Sequence, residues 1–468
     1  MTHVDRRAFL RASAKYAGGA IVAPSLVGLA ACNDAVVPRL GASAPSLARA
    51  GRGMGGYGPL VDAGPELTLP EGFQYRVFGR TGDMMGDGHP TPGAHDGMAC
   101  YADPGGYVRL VRNHEVRSLG GAFGNAAKAY DRKSGGGTTT LLVNRERELV
   151  RSFASINGTS TNCAGGRTPW GTWLTCEETT VGVTAGYDKP HGYVFEVPAF
   201  GDTLVSNPEP YRSMGRFVHE AVAVDPNSGI VYLTEDQRIQ PATDAYPHVL
   251  GSGFYRFIPN RFPQRFGDLR VGRLQMLALK GQPRGSFVAD KEQIVGRPLP
   301  VTWVDIDDPD PATVEGDPFA VAKQGIEQGA AVFARLEGCW WGDNSVYFVA
   351  TNGGEAGLGQ VWQYRPLGAS GGQLTLIFES PSADVLDGPD NVLVTPRGGL
   401  ILCEDGDDEQ FLRGLTPRGQ IFDFAMNRLN DSEFAGACFS PDGETLFVNI
   451  QSPGLTLAIW GPWEEGVL

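Results

Sequence analysis

The stretch NCAGGRTPWGTWLTCEE, residues 162–178, brings a thiol and two adjacent carboxylates into one short segment. Its Gly-Gly and Pro-Trp-Gly turns read as a β-hairpin, and in a hairpin the first residue of one strand and the last of the other share an end. Cys163 therefore shares an end with Glu177 and Glu178. A thiolate is a ligand for softer transition ions such as iron, whereas carboxylates suit calcium and other hard cations. One hairpin end carries the makings of a mixed metal site.

Five further segments follow the same plan of apolar strand, Pro/Asp/Asn/Gly turn and second apolar strand with a polar end: 97–115, 220–236, 337–354, 391–406 and 436–454. Their leading positions are Asp96, Cys163, Glu220, Glu337 and Asp390. Their trailing positions are Asn113 with Glu115, Glu177 with Glu178, Glu235 with Asp236, Asn352, and Glu404 with Asp405; the sixth segment offers Asn449 and Gln451. Carboxylates brought to one rim repel and shift each other's pKa unless cations neutralise them, so the pattern predicts a multi-cation site. Arg335, in ARLEG (334–338), sets a guanidinium beside Glu337. It reads either as a fork for an anion or as a structural salt bridge. His95, His114 and His219 adjoin rim positions, where they could ligate or shuttle protons; the favoured role for any one of them is a structural hydrogen bond.

The elements that must position these residues are repeated. Segments 192–197, 253–259, 359–366 and 419–424 read as the third strand of the same unit, and 138–156 supplies outer strands for the first. Units of three or four antiparallel strands, repeated six times, predict an all-β fold, a six-bladed β-propeller. Residues 237–334 form a loop/helix insertion between the third and fourth central hairpins, with a short helix near 318–333. Residues 73–79 complete the last blade and close the ring, which removes free sheet edges. The propeller is expected to be one domain over 59–468.

The chain has 468 residues, 39 basic against 53 acidic, for a net charge of −14. That balance gives no sign of a nucleic-acid partner, which would call for a basic face, and none is expected. DRRAFLR (5–11) with a short apolar run after it reads as a twin-arginine signal over 1–32. LAAC (29–32) resembles a lipoprotein box with Cys32 lipidated, ordinary cleavage near Ala31 being the alternative. Residues 33–58 read as a flexible tether. Seven cysteines include no CxxC pair, which argues against zinc ribbons and thioredoxin-like chemistry. Cys100, Cys176, Cys339, Cys403 and Cys438 sit in apolar runs and read as buried small hydrophobes.

RNHE (112–115), the cysteine hairpin, GRFVHEA (215–221), YLTED (232–236), ARLEG, DGPDN (387–391), CEDG (403–406) and FSPDGETLFVNIQSPG (439–454) together resemble the PhoX-type alkaline phosphatases. The resemblance runs through essentially the whole mature chain. It implies twin-arginine export to the periplasm or cell surface, a six-bladed propeller, and hydrolysis of phosphomonoesters to release inorganic phosphate. It also implies a cofactor of paired Fe(III) ions with Ca(II). On the matching motifs Cys163, Glu220 and Glu337 would bind iron, while Glu115, Glu178, Asp390 and Glu404 would hold calcium or bridge. Arg335 would bind the substrate phosphate. The chain is compact beside many members, a departure that bears on the loops shaping substrate choice. A monomer is expected. A calcium-dependent propeller lactonase or esterase, or a non-catalytic binding propeller, would need the acids but neither the thiolate nor the arginine.

Overall fold

The computed structural model describes residues 54–282, 293–368 and 370–468, all of them within one compact unit, Pro45–Leu468. The expected signal, Cys32 and the tether up to residue 53 lie outside the described residues. Among the described residues no helix is long and apolar enough to cross a membrane.

The architecture is all-β and propeller-like. The first sheet runs His95–Asp103, Tyr107–His114, Gly136–Val143 and Leu149–Thr159 in simple meander order. A three-stranded sheet follows, Asn162–Arg167, Thr172–Glu177 and Val194–Pro198. The next two units are His219–Val224, Val231–Glu235, Phe254–Pro259 and Gly272–Leu279, then Leu336–Gly342, Ser345–Ala350, Gln360–Pro366 and Gly372–Glu379. Pro298–Asp305 pairs antiparallel with the outer strand of each, so the two merge into one nine-stranded sheet. That bridging strand comes from the expected insertion, whose helix is confined to Ala320–Glu327 and packs on Gly272–Leu279.

The fifth unit, Pro389–Val394, Leu400–Glu404, Phe411–Leu415 and Ile421–Asn427, gains two outer strands, Leu60–Asp62 and Leu67–Pro70. Residues 419–424 therefore belong to its fourth strand, not its third as their pattern suggested. The true third strand is interrupted by Gly414, which weakens its apolar signal. The last sheet, Phe434–Phe439, Leu446–Ile450 and Leu455–Trp460, is completed by Gln74–Phe78, the expected closure of C-terminal strands by an N-terminal one.

The first strand of each unit packs against the first strand of the next, and Phe434–Phe439 returns to His95–Asp103. Close approach near the middle requires small residues. A Cβ on Gly97 would lie 2.6 Å from the Ala164 Cα, and one on Gly338 would lie 2.6 Å from the Asp390 carbonyl oxygen. The sheets are apolar on both faces because each is packed between two neighbours. Phe254, Phe348, Trp362 and Tyr364 fill one such interface and are fully buried, each burial contributing about 1.5–3 kcal/mol.

Candidate metal centre

Each central hairpin ends in the same local device. The first residue of the inner strand pairs with the last of the second strand: His95 with His114, Asn162 with Glu177, His219 with Glu235, Leu336 with Ala350, Pro389 with Glu404, Phe434 with Ile450. The register then shifts in all six, a repeated irregularity of the bulge type. A bulge re-aims the side chains within it. The residues placed there include Asp96, Cys163, Glu220, Glu337 and Asp390.

A second repeated contact holds the other side of the rim. The amide one residue past each second strand donates to the carbonyl just before the first: Glu115 to Ala94, Glu178 to Thr161, Asp236 to Val218, Thr351 to Arg335, Asp405 to Gly388 and Gln451 to Glu433. These bonds turn Glu115, Glu178, Asp236 and Asp405 back beside the bulges. Ala94, Thr161, Arg335 and Gly388 take left-handed backbone there, with Arg335 at φ 48°.

The result is a chain of overlapping carboxylate clusters. Ligand atoms lie within 4.8 Å of one another in Cys163–Glu178–Glu220, in Glu178–Asp236–Glu337, in Glu220–Glu337–Asp390 and in Asp390–Asp405–Glu433. Burial, then the neighbouring acids, hold Glu178, Glu220 and Glu337 well above the usual carboxylate range, and Asp96 is pushed up to about 8. Burial and the charges of Glu220, Glu178 and Asp96 likewise push the Cys163 thiol up. Acids this buried and this close are costly as bare anions. The donor set fits cations, which would invert that local electrostatic logic. One sulfur at one end and only oxygens elsewhere suits a softer ion near Cys163 and hard ions beyond it.

Arg335 sits inside this chain of acids and is itself buried. Its Nε and Nη2 donate to Asp236 at 3.0 and 2.8 Å, and Nη2 also makes a short contact to Glu337. The family model for alkaline phosphatase PhoX matches residues 55–454.

The chain belongs to the PhoX alkaline phosphatase family. It is accordingly a phosphoric monoester hydrolase. The fold is similar to that of Pseudomonas fluorescens PhoX solved in complex with vanadate, a transition-state analogue, with TM-score 0.66 and 18% identity over 90% of this chain and 99% of that one. A virginiamycin B lyase from Staphylococcus aureus bound to quinupristin is a more distant likeness, with TM-score 0.38 and 13% identity over 83% of this chain and 99% of that one. Curated protein sequences include no match.

Within this PhoX-family site, the clusters contain Cys163, Glu178, Glu220, Glu337 and Asp390, all five singled out from the sequence. Glu115 is adjacent but engaged elsewhere: it accepts from Gln451 Nε2 at 2.8 Å and makes a short contact with Arg117. Glu404 is not among the clustered ligands. Its carboxylate accepts from Arg413 Nε at 2.7 Å and from the amides of Asp387 and Phe411 at 3.0 and 3.2 Å. Its equivalents Glu177 and Glu235 behave alike. Glu177 accepts from the amides of Ser160, Gly192 and Tyr193 and bonds His191, while Glu235 accepts from the Gly253 amide and the Tyr255 hydroxyl. In these three strands the last residue braces the scaffold, and the one after it, Glu178, Asp236 or Asp405, joins the clusters.

Asp236, Asp405 and Glu433 join the clusters. Glu433 precedes the sixth inner strand at the position Arg335 holds in the fourth, outside any apolar run. His95, His114 and His219 are fully buried, with His219 held near 3 by burial, and each bonds a backbone carbonyl at 2.9–3.0 Å.

Two expectations separate scaffold from ligand. Arg413→Met should cost about 3–5 kcal/mol by leaving Glu404 buried without its ion-pair partner, with bound metal unchanged; Asp405→Asn should lower bound metal instead. Urea unfolding and elemental analysis read the two. For His191, burial opposes its charge, but Glu177 at 2.6 Å and Asp131 at 3.5 Å outweigh it and raise the pKa above 6.5. A raised folded pKa gives stability that is full below the unfolded value and fades as pH rises through the folded one. The melting gap between wild type and His191→Asn should therefore be larger near pH 5 than near pH 9; a gap constant with pH would refute the assignment.

Proposed function

We propose that this protein hydrolyses phosphomonoesters to inorganic phosphate outside the cytoplasm, at a metal cluster set on one rim of a six-bladed propeller spanning 59–468. The blade count treats the nine-stranded sheet as two blades joined by Pro298–Asp305. The observation that carries the reading is Cys163 with Glu178 and Glu220, a buried thiol with one buried and one partly buried acid, ligand atoms within 4.8 Å, continuous with a purely carboxylate site. Cys163, Glu220 and Glu337 would hold Fe(III). Glu178 and Asp390, with Asp236, Asp405 and Glu433, would hold Ca(II), and Glu115 would border that site. Export follows the twin-arginine signal, with Cys32 as a lipid anchor and the folded protein a monomer.

The ions, when bound, polarise phosphoryl oxygens and lower the pKa of a nucleophilic water. The chain's own residues supply the rest. A net charge of −14 repels a phosphate ester at long range, so the arginine must act locally. Asp236 grips Arg335 through Nε and Nη2, which fixes the guanidinium plane and leaves Nη1 without a partner among the described residues. That edge would meet an equatorial phosphoryl oxygen as charge grows in the in-line displacement. Asp236 and Glu337 hold the arginine in place. Turnover of p-nitrophenyl phosphate, with none of a simple lactone, is the expected result. Lactone turnover without phosphatase activity would overturn the reading.

A further inference from the structure

Arg117 lies in the loop after the first hairpin, and that loop is stitched to the second unit. The Val116 carbonyl accepts from the Thr161 amide at 3.1 Å, and the Thr161 carbonyl accepts from the Glu178 amide at 2.9 Å. The guanidinium is thereby set against two rim acids. Nη2 pairs with Glu178 at 2.9 Å and makes a short contact with Glu115. Nε and Nη1 have no partner among the described residues, and the side chain is 56% exposed.

Arg335 has a side chain only 10% exposed and is tied to Asp236 and Glu337. Both arginines border the same acids, because Glu178 lies within 4.8 Å of the ligand atoms of Asp236 and Glu337. One guanidinium is at the floor of the site and the other stands at its mouth. The corner below Arg117 is already closed by protein donors: Gln451 Nε2 reaches Glu115 at 2.8 Å and Asp96 at 3.2 Å. A counter-ion for Glu115 and Glu178 needs only the Nη2 contacts. Nη2 spends its hydrogens on the two acids, and Nε and Nη1 remain on a half-exposed side chain, each able to give an anionic oxygen one charge-assisted hydrogen bond.

We propose that Arg117 is a specificity residue, holding a second anionic group on the substrate beyond the phosphoryl group being cleaved. The proposal rests on the phosphatase reading above. It favours sugar bisphosphates and similar doubly anionic esters over monoesters with a neutral leaving group.

The test compares wild type, Arg117→Ala and Arg117→Lys holoenzymes with p-nitrophenyl phosphate and fructose bisphosphate. Calorimetric binding of propane diphosphonate and of methylphosphonate gives a readout independent of turnover, and melting with elemental analysis checks folding and metal. In Arg117→Ala, KM for the bisphosphate and Kd for the diphosphonate should rise about tenfold or more, the scale of losing charge-assisted hydrogen bonds. The values for p-nitrophenyl phosphate and methylphosphonate should move much less, and Arg117→Lys should recover part of the loss. Equal losses on both ligand types, or losses that track metal content, would show a merely structural arginine and overturn the proposal. A wild type active on both substrates whose selectivity is untouched by Arg117→Ala would overturn this inference alone. A wild type that hydrolyses neither would overturn the phosphatase reading and this inference with it.

Discussion

Replacing Cys163 by serine is expected to strip bound iron and to lower kcat/KM for p-nitrophenyl phosphate by at least about 100-fold, since even outer-shell changes around metals cost about 10–100-fold. Serine keeps the size of the side chain but supplies a hydroxyl in place of a thiol that can ionise against a soft ion. The position is well suited to isolate this effect. Cys163 is buried, and its sulfur contacts backbone carbonyls, those of His219 and Glu220 in the next unit at 3.4 Å and that of Cys176 in its own at 4.0 Å. The scaffold therefore has little reason to collapse, and the calcium content should fall less than the iron. Elemental analysis beside steady-state kinetics reads both. Unchanged iron with full activity would remove Cys163 from the centre.

The second large effect is expected at Arg335. Arg335→Ala should lower kcat/KM by about 10²–10³, the cost of removing one preorganised charge-stabilising donor. Arg335→Lys should recover only a small part, because an ammonium carries the charge without the planar fork. Arg335 holds φ 48° at a position where the equivalent residues include Ala94, Thr161 and Gly388. Left-handed backbone costs a non-glycine side chain about 1–3 kcal/mol, and the strain is retained here at a residue bonded to two acids of the centre. Metal content in Arg335→Ala should stay near wild type. Parallel loss of metal and activity would mean that the arginine holds the acids rather than the substrate.

The hairpins were legible because each one carries its own turn chemistry between two apolar runs, and six copies reinforce one another. The leading members of the clusters, Cys163, Glu220, Glu337 and Asp390, could be read for the same reason. The choice between neighbouring acids was harder. Glu404 and Asp405 differ by one residue, and only the strand phase together with the amide bond to the residue before the inner strand turns the second of each pair to the rim. Glu177 and Glu178 obey the same rule, as do Glu235 and Asp236. Glu433 and Arg117 stand outside the strands, so no periodicity marks them. Pro298–Asp305 was hidden for a different cause. Its role is to pair with Gly372–Glu379, a long-range contact that no local pattern encodes. The two N-terminal strands at Leu60–Asp62 and Leu67–Pro70 are short and add to an outer edge, where apolar alternation is weakest.

The most direct test of the central claim pairs metal content with turnover in the wild-type protein. Iron and calcium are measured by elemental analysis, and p-nitrophenyl phosphate hydrolysis is followed before chelation, after chelation and after the ions are restored. Both metals should be present at first, activity should fall as they are removed, and it should return with them. Full phosphatase activity in protein stripped of both metals would contradict the account.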